Sequence, residues 1–308
     1  MRKYENDVNP TRADPGIRRP GSGNVRRPWH RHLAAIMLIL LLTALTQIGG
    51  LVWLVSRLVI RQFCHGAAPA VSVRAARLSR HQLLMTWGLA VPLYGVLTAV
   101  IIPPIAAWPG RVRLACFDNG GVLMPAGPLA CTLNRNYLRP ELRTLLTDLA
   151  EAIAQQFPGS RVTTLEAGFP FIDGFPMLPH LSHRNGRKVD IAFFYRDSGT
   201  DQPIAGGSPS PLGYFLYEQP RPDEIARCRD RWAPLRWDFA WLQPSRPTWT
   251  LDQPRTAAIL AWLQADPRVL KIFIEPYLAQ CLNVTGGKIR FQGCHAARHD
   301  DHIHIEIE

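Results

Sequence analysis

The chain has 308 residues and a formal net charge of +11. Its apolar residues are concentrated in two long runs before residue 110, which excludes a single soluble globule and leaves residues 109–308 for a separate domain. The positive charge favours anionic partners such as lipid head groups. The sequence contains no helix-turn-helix, zinc-finger or RNA-binding signature, so nucleic acid is not an expected partner.

The first part of the chain differs in composition from the rest. Residues 1–31 are rich in Arg, Pro and Gly and poor in apolar side chains, which predicts a basic, disordered tail. Residues 32–108 contain two apolar runs, at about 33–60 and 83–108, each long enough to cross a hydrocarbon layer of about 30 Å. They predict two transmembrane helices in contact with membrane lipid, joined by a basic loop.

The orientation of these helices is left open by the sequence. The loop at 61–81 carries arginines and no acid, which favours a cytoplasmic loop, but the Arg-rich tail favours the opposite arrangement. Five of the six cysteines follow the apolar runs, which favours an extracytoplasmic domain with disulfides Cys116–Cys131 and Cys281–Cys294. Buried free thiols are the other interpretation of these cysteines.

Residues 109–308 predict an α+β fold, a small antiparallel sheet with flanking helices, because strands and helices alternate without a βαβ rhythm. A hairpin or meander is expected at 111–134, and helices are expected at 139–156 and 250–265, the second with Thr250 as its N-cap. Strands are expected at 162–165, 189–195, 269–274, 289–291 and 302–307, and a long loop is expected at 197–213.

The last predicted strand has two different faces. His302 and His304 lie on one face with Glu306, and the three isoleucines at 303, 305 and 307 lie on the other, which suits a core. A His-x-His pair on a strand brings two imidazoles within reach of one metal ion. Two surface histidines on an edge strand are the other interpretation.

A second polar stretch precedes the predicted strand at 189–195. His183 and Asp190 flank a turn at Asn185–Gly186, so the returning chain brings an imidazole and a carboxylate together. Asp190 begins an otherwise apolar run, where burial of its charge requires a partner such as a metal ion. A surface aspartate just outside the strand is the alternative. The two stretches together predict a divalent-metal site in a cleft of the sheet.

The stretch His183-Arg-Asn-Gly186-Arg-Lys-Val-Asp190 resembles the His-x-x-Gly-x-x-x-Asp element of a group of zinc peptidases. The group comprises penicillin-insensitive murein endopeptidase, D-alanyl-D-alanine dipeptidases and zinc D,D-carboxypeptidases. Where this family usually has a small residue the chain has Lys188, a departure that leaves the ligands intact and alters the pocket wall.

The closing stretch, His299-Asp-Asp-His302-Ile-His304, resembles the murein endopeptidase version in particular, as does His180 three residues before His183. The matching motifs are two short stretches within residues 134–308. The predicted helices before residue 109 and the basic tail lie outside the resemblance.

The resemblance implies that His183, Asp190 and His304 are the ligands of a catalytic zinc ion. Two imidazoles and one carboxylate leave a fourth coordination position open, as catalytic zinc requires. Asp301 matches the general-base carboxylate of the family. Its parity on a regular strand is opposite to that of His304, so this role requires a bend where the strand starts.

The resemblance also implies supporting residues. His299 and His302 match accessory histidines that orient the substrate or stabilise the oxyanion. His180 is either an accessory polar residue or a loop histidine. Arg184 and Arg187 are candidates for an arginine that stabilises the tetrahedral intermediate.

The resemblance implies a zinc metallopeptidase, and the two predicted membrane helices would anchor it. It would cleave amide bonds in peptidoglycan stem peptides or cross-links, as an endopeptidase or a D,D-carboxypeptidase, from a multi-pass protein of the inner (cytoplasmic) membrane with an extracytoplasmic catalytic domain. The alternative is a non-hydrolytic zinc-containing domain that binds cell-wall peptide or a protein partner. A peptidase acting on a non-wall substrate becomes preferable if the domain is cytoplasmic.

Overall fold

The computed structural model describes residues 29–65, 80–209, 218–222, 224, 228, 235–237 and 248–308. Nearly all of the predicted basic tail and most of the predicted basic loop at 61–81 lie outside these residues. The end of the predicted loop at 197–213 also lies outside them.

The chain begins with apolar helices. Helix α1 spans Trp29–Thr46 and α2 spans Gly49–His65, while α3 spans Arg80–Val96 and continues through a π-helical turn at Leu97–Ile101 into α4, Ile102–Ala106. Within the described residues, one continuous helical segment, Arg80–Ala106, is long and apolar enough to cross a membrane, with 27 residues and a mean hydropathy of 2.0. The apolar part of α1, His32–Thr46, is shorter.

The prediction of a first membrane-spanning helix at 33–60 is therefore wrong. The helix is interrupted at Gln47, whose φ is +67°, and the hydroxyl of Thr46 accepts a hydrogen bond from the backbone N–H of Gly49 at 2.8 Å. This bond caps the start of α2. Average hydropathy does not reveal such a break, because one residue of left-handed backbone interrupts the helix without changing the composition.

The domain after residue 109 has four helices and ten strands among its described residues. The helices are α5 Leu129–Thr132, α6 Pro140–Gln156, α7 Gln253–Ala265 and α8 Pro276–Cys281. The strands are β1 Val112–Arg113, β2 Leu123–Pro125, β3 Tyr137–Leu138, β4 Val162–Thr164, β5 Lys188–Ala192, β6 Tyr195–Asp197, β7 Trp249–Leu251, β8 Val269–Phe273, β9 Ile289–Arg290 and β10 His302–Ile307. The predicted α+β class is confirmed.

The main sheet has six strands in the order β2-β4-β5-β10-β8-β9. Its middle strands β4, β5, β10 and β8 pair antiparallel, as predicted, but both outer pairs, β2–β4 and β8–β9, are parallel. The predicted hairpin or meander at 111–134 is wrong, because β1 pairs with β3 and β2 joins the main sheet. Each parallel pair is joined through a helix, which allows the second strand to return in the same direction.

The core lies between the sheet and helices α6 and α7. The apolar face of α6 packs into this core, since Leu142, Leu145 and Leu149 are fully buried. The isoleucines at 303, 305 and 307 of β10 belong to the same core. The N-cap of α7 is Asp252, whose carboxylate accepts a hydrogen bond from the backbone N–H of Arg255 at 3.1 Å. The predicted cap, Thr250, lies within β7 instead.

Two disulfides join described cysteines, Cys116–Cys131 and Cys228–Cys294. The first pairing is the predicted one. The predicted Cys281–Cys294 pairing is wrong, since Cys281 is a free thiol at the end of α8. Cys228 is 66 residues away from Cys294 in the sequence, yet their Cα atoms are 5.5 Å apart. Closeness along the chain is thus a poor guide to this pairing.

Loss of the second disulfide is expected to destabilise the domain more than loss of the first. A closed loop of 66 residues contributes about 4 kcal/mol by chain entropy, and one of 15 residues about 3 kcal/mol. Urea unfolding of the double variants Cys228→Ser/Cys294→Ser and Cys116→Ser/Cys131→Ser measures this difference, with Cys281→Ser as the matched control that should leave stability unchanged. A cross-linked peptide containing Cys281 in a non-reducing digest would contradict the pairing.

Candidate metal centre

The centre forms where the two middle strands of the sheet meet. In the antiparallel register of β5 and β10, His304 lies directly opposite Asp190. Both side chains are fully buried, and Nδ1 of His304 lies 2.9 Å from Oδ1 of Asp190. Because Ile303 and Ile305 occupy the core on the other face of β10, the alternation of the strand directs His304 to the polar face.

His183 reaches the same carboxylate from the preceding loop. The chain turns at Gly186, which has a φ of +69°, and enters β5. Nε2 of His183 lies 3.2 Å from Oδ1 of Asp190 and 2.9 Å from Nδ1 of His304. Its Nδ1 faces the carbonyl oxygen of Ala167, so Nε2 is the nitrogen directed to the carboxylate. Ligands of one tetrahedral zinc ion lie about 3.3 Å apart, so these three atoms are spaced to share an ion.

The loop of His183 packs closely on its neighbours. A Cβ atom on Gly168 would lie 2.9 Å from the carbonyl oxygen of His183 and 3.2 Å from that of Tyr137. Only glycine allows this approach, so Gly168 fixes the position of the loop relative to β3. The three residues predicted as ligands are thus brought together by the register of the sheet and by one closely packed loop.

Three further histidines surround the same carboxylate. Nδ1 of His180 lies 2.8 Å from Oδ2 of Asp190, and Nε2 of His302 lies 3.7 Å from Oδ1. The ligand atoms of His180, His183 and Asp190 lie within 4.8 Å of one another, as do those of His180, His299 and His302. His180 is therefore part of the centre rather than a plain loop histidine, and both groups can hold a metal ion.

Asp301 lies in a bend immediately before β10, so the bend that its predicted role requires is present. Its side chain is fully buried, and its Oδ1 lies 2.6 Å from Nδ1 of His302. A carboxylate on one ring nitrogen fixes the orientation of the ring and directs the other nitrogen, Nε2, into the centre.

Burial controls the charge of most of these imidazoles. It lowers the pKa of His180, lowers that of His304 to about 3, and holds that of His299 well below its usual range. The neighbouring imidazoles act in the same direction. Neutral imidazole is the form that binds metals, so this environment favours coordination over protonation.

For Asp190 and His302, the effect of neighbouring groups on the pKa outweighs the effect of burial. Burial acts to raise the pKa of Asp190, but its electrostatic interactions with the imidazoles of His180, His183 and His302 outweigh burial and hold the pKa well below the usual range. Burial also acts to lower the pKa of His302, but Asp190 and Asp301 raise it to about 9. The carboxylate at the middle of the centre is therefore ionised, as a metal ligand must be.

The donor set fits a divalent transition metal. Among the described residues, the Nε2 atoms of His299 and His302 are buried and have no hydrogen-bond partner. Buried polar atoms nearly always have one, so these two nitrogens need a further group. Imidazole nitrogen with carboxylate oxygen is the ligand type of zinc and of metals similar to it.

Buried ion pairs surround the centre, and sequence patterns did not predict them. Arg135 contacts Glu166 at 3.0 Å, and Glu166 lies 3.8 Å from Nδ1 of His180. Arg298 donates a hydrogen bond to Asp300 at 2.8 Å on the other side. The sequence feature that could have indicated a buried ion pair was Glu166, an acidic residue between the apolar residues Leu165 and Ala167 directly after β4. The predicted arginine candidates at 184 and 187 are exposed and lie outside the buried centre.

Replacing Arg135 with methionine is expected to lower the free energy of unfolding by about 3–5 kcal/mol, because the carboxylate of Glu166 would remain buried without its cation. The matched control is Lys271→Met. The ammonium of Lys271 lies 3.6 Å from Glu306 and its side chain is 42% exposed, so its loss should cost about 1 kcal/mol or less. Denaturant unfolding of both variants measures the difference, and equal losses would contradict the role given to Arg135.

Comparisons with known proteins add no assignment. No protein-family model matches the chain, and no curated protein sequence matches it. The case for a function therefore depends on the two motifs and on the geometry of the centre.

Proposed function

We propose that the chain is a membrane-anchored zinc metallopeptidase that hydrolyses amide bonds of peptidoglycan peptides. The observation that carries this proposal is the group formed by His183, Asp190 and His304. Two imidazole nitrogens and one carboxylate oxygen lie 2.9–3.2 Å from one another. This is a two-histidine, one-carboxylate set, the kind that holds catalytic zinc with an open position.

In this proposal, zinc supplies Lewis acidity when bound, which activates water for attack on an amide carbonyl. The chain supplies the remaining functions. Asp190 and the two imidazoles hold the ion, and Asp301 accepts the proton of the attacking water and passes it to the leaving amine. His302, held by Asp301 at 2.6 Å, and His299 stabilise the negative charge that develops on the carbonyl oxygen.

Two observations support the proposed location. Helix segment Arg80–Ala106 is the proposed anchor. Two disulfides in one domain are typical of an oxidising compartment, which supports a location of the domain outside the cytoplasm, on the side of the cell wall. A peptide with D-amino acids is the substrate that the resemblance implies.

A specific observation favours a second candidate, a metal-containing domain that binds a wall peptide or a partner without hydrolysis. The side chains of the centre are all buried, with relative exposures of 2% or less. Structural metal sites are closed, whereas catalytic sites keep an open position. The buried Asp301 argues for the peptidase, because a purely structural site has no need of a proton acceptor.

Incubation of the full-length protein, in detergent and with zinc, with cross-linked and monomeric muropeptides separates the two candidates. The peptidase proposal predicts fragments that have gained one water molecule, seen by mass spectrometry and absent with Asp301→Asn. Intact muropeptides after incubation with zinc-loaded protein would overturn the peptidase proposal and favour the binding domain.

A further inference from the structure

Three imidazoles remain after the first ion has its ligands. The ring centroids of His299 and His302 are 5.1 Å apart, those of His180 and His302 are 5.2 Å apart, and those of His180 and His299 are 6.0 Å apart. Imidazoles that share one tetrahedral ion, with metal–nitrogen distances of 2.0–2.1 Å, have centroids roughly 5.2 Å apart. The spacing of this second group therefore suits an ion of its own.

Asp190 faces both groups. Its Oδ1 lies near His183 and His304, at 3.2 Å and 2.9 Å, and its Oδ2 lies 2.8 Å from Nδ1 of His180. One carboxylate whose two oxygens lie near imidazoles of two different groups has the arrangement of a bridging ligand. Paired metal ions in enzymes lie about 3.5–4 Å apart, a distance that a carboxylate bridges.

The number of donors also exceeds what one ion can use. Zinc in proteins is almost always bound by four ligands, and a catalytic site uses only three from the protein. This centre contains five buried histidines around the buried carboxylate of Asp190. A single ion would leave at least two of these imidazoles outside its coordination sphere.

Two ring nitrogens of the second group lack a partner within the described part of the chain. Nε2 of His299 and Nε2 of His302 are buried and have no hydrogen-bond partner among the described residues. His302 cannot turn to use its other nitrogen, because Nδ1 is held by Asp301 at 2.6 Å. A carboxylate behind a histidine is the usual second partner of a metal-bound imidazole.

We propose that His180, His299 and His302 hold a second divalent cation, of the zinc or cobalt type, and that Asp190 bridges the two cations. The inference rests on the proposed function for the first ion, which takes His183, His304 and Asp190. It deepens that function by assigning the accessory histidines their means of action. They stabilise the carbonyl oxygen of the substrate through the cation that they hold, since paired ions stabilise both reacting oxygens.

The test is the number of cations that the full-length protein binds. The purified protein is stripped with a chelator in detergent and titrated anaerobically with Co²⁺, and binding is followed by visible absorbance and by metal analysis after dialysis. We expect two equivalents for the unaltered chain and one for His299→Gln. The matched control His295→Gln, at an exposed histidine, should bind two. Electron paramagnetic resonance should show a weaker signal per cobalt at two equivalents, because bridged ions couple.

Saturation at one equivalent in the unaltered chain would overturn the second site, as would two equivalents in His299→Gln. If His299→Gln does not fold, His180→Gln is the second variant, with the same expected loss of one equivalent. The outcome is separable from that of the peptidase. Hydrolysis with one equivalent leaves the peptidase standing without the second ion, and two equivalents without hydrolysis leave the second site standing without the peptidase.

Discussion

Replacement of His304 with alanine is expected to remove the first metal ion and to lower muropeptide hydrolysis by roughly 10³-fold or more, since a catalytic metal supplies several kcal/mol of transition-state stabilisation. The residue is fully buried, and its Nδ1 lies within 2.9 Å of both Asp190 and His183. No other described side chain lies opposite Asp190 on β10. Metal analysis and a hydrolysis assay on the same preparation measure both losses.

The matched control for this variant is His295→Ala. His295 is exposed and lies in the loop before β10, so its removal deletes an imidazole from the same region without changing the centre. It should retain metal and activity. A folded His304→Ala protein that keeps its full metal content and its activity would show that the ligand set is wrong.

Replacement of Asp301 with asparagine is expected to lower kcat by about 10²–10⁴-fold, the usual contribution of a general base, while the first ion remains bound. Asparagine keeps the size of the side chain but cannot accept a proton. Assays at saturating zinc, with metal analysis, separate loss of proton transfer from loss of the ion.

Asp201→Asn makes the same chemical change at an exposed position, where the side chain is 85% exposed and pairs with Arg196. It should leave kcat unchanged. If Asp301→Asn retained the kcat of the unaltered protein, the proton acceptor would have to be another residue and the mechanism would need a different base.

The candidate metal centre could be predicted from the sequence because its residues form local patterns. On β10, histidines alternate with isoleucines, and since the isoleucine face enters the core, the opposite face of the strand is determined as well. Asp190 was recognisable as an acid at the start of an apolar run. His299 and His180 could be placed near the centre only through the resemblance, because neither lies in a described strand.

Most of the failed predictions concern contacts between distant parts of the chain. The pairing of β1 with β3, and of Cys228 with Cys294, depends on how the domain closes, which no short pattern records. The break between α1 and α2 depends on one residue, Gln47, in the left-handed conformation. The Arg135–Glu166 pair could not be predicted because its two residues are 31 positions apart and neither belongs to a motif.

The most direct test of the metal centre is anomalous X-ray diffraction at the zinc edge, from crystals of the full-length protein grown with zinc. The centre described here predicts an anomalous peak within about 2.0–2.2 Å of Nε2 of His183, Nδ1 of His304 and Oδ1 of Asp190. A protein saturated with zinc whose anomalous peaks all lie elsewhere, with these three side chains unliganded, would contradict the assignment.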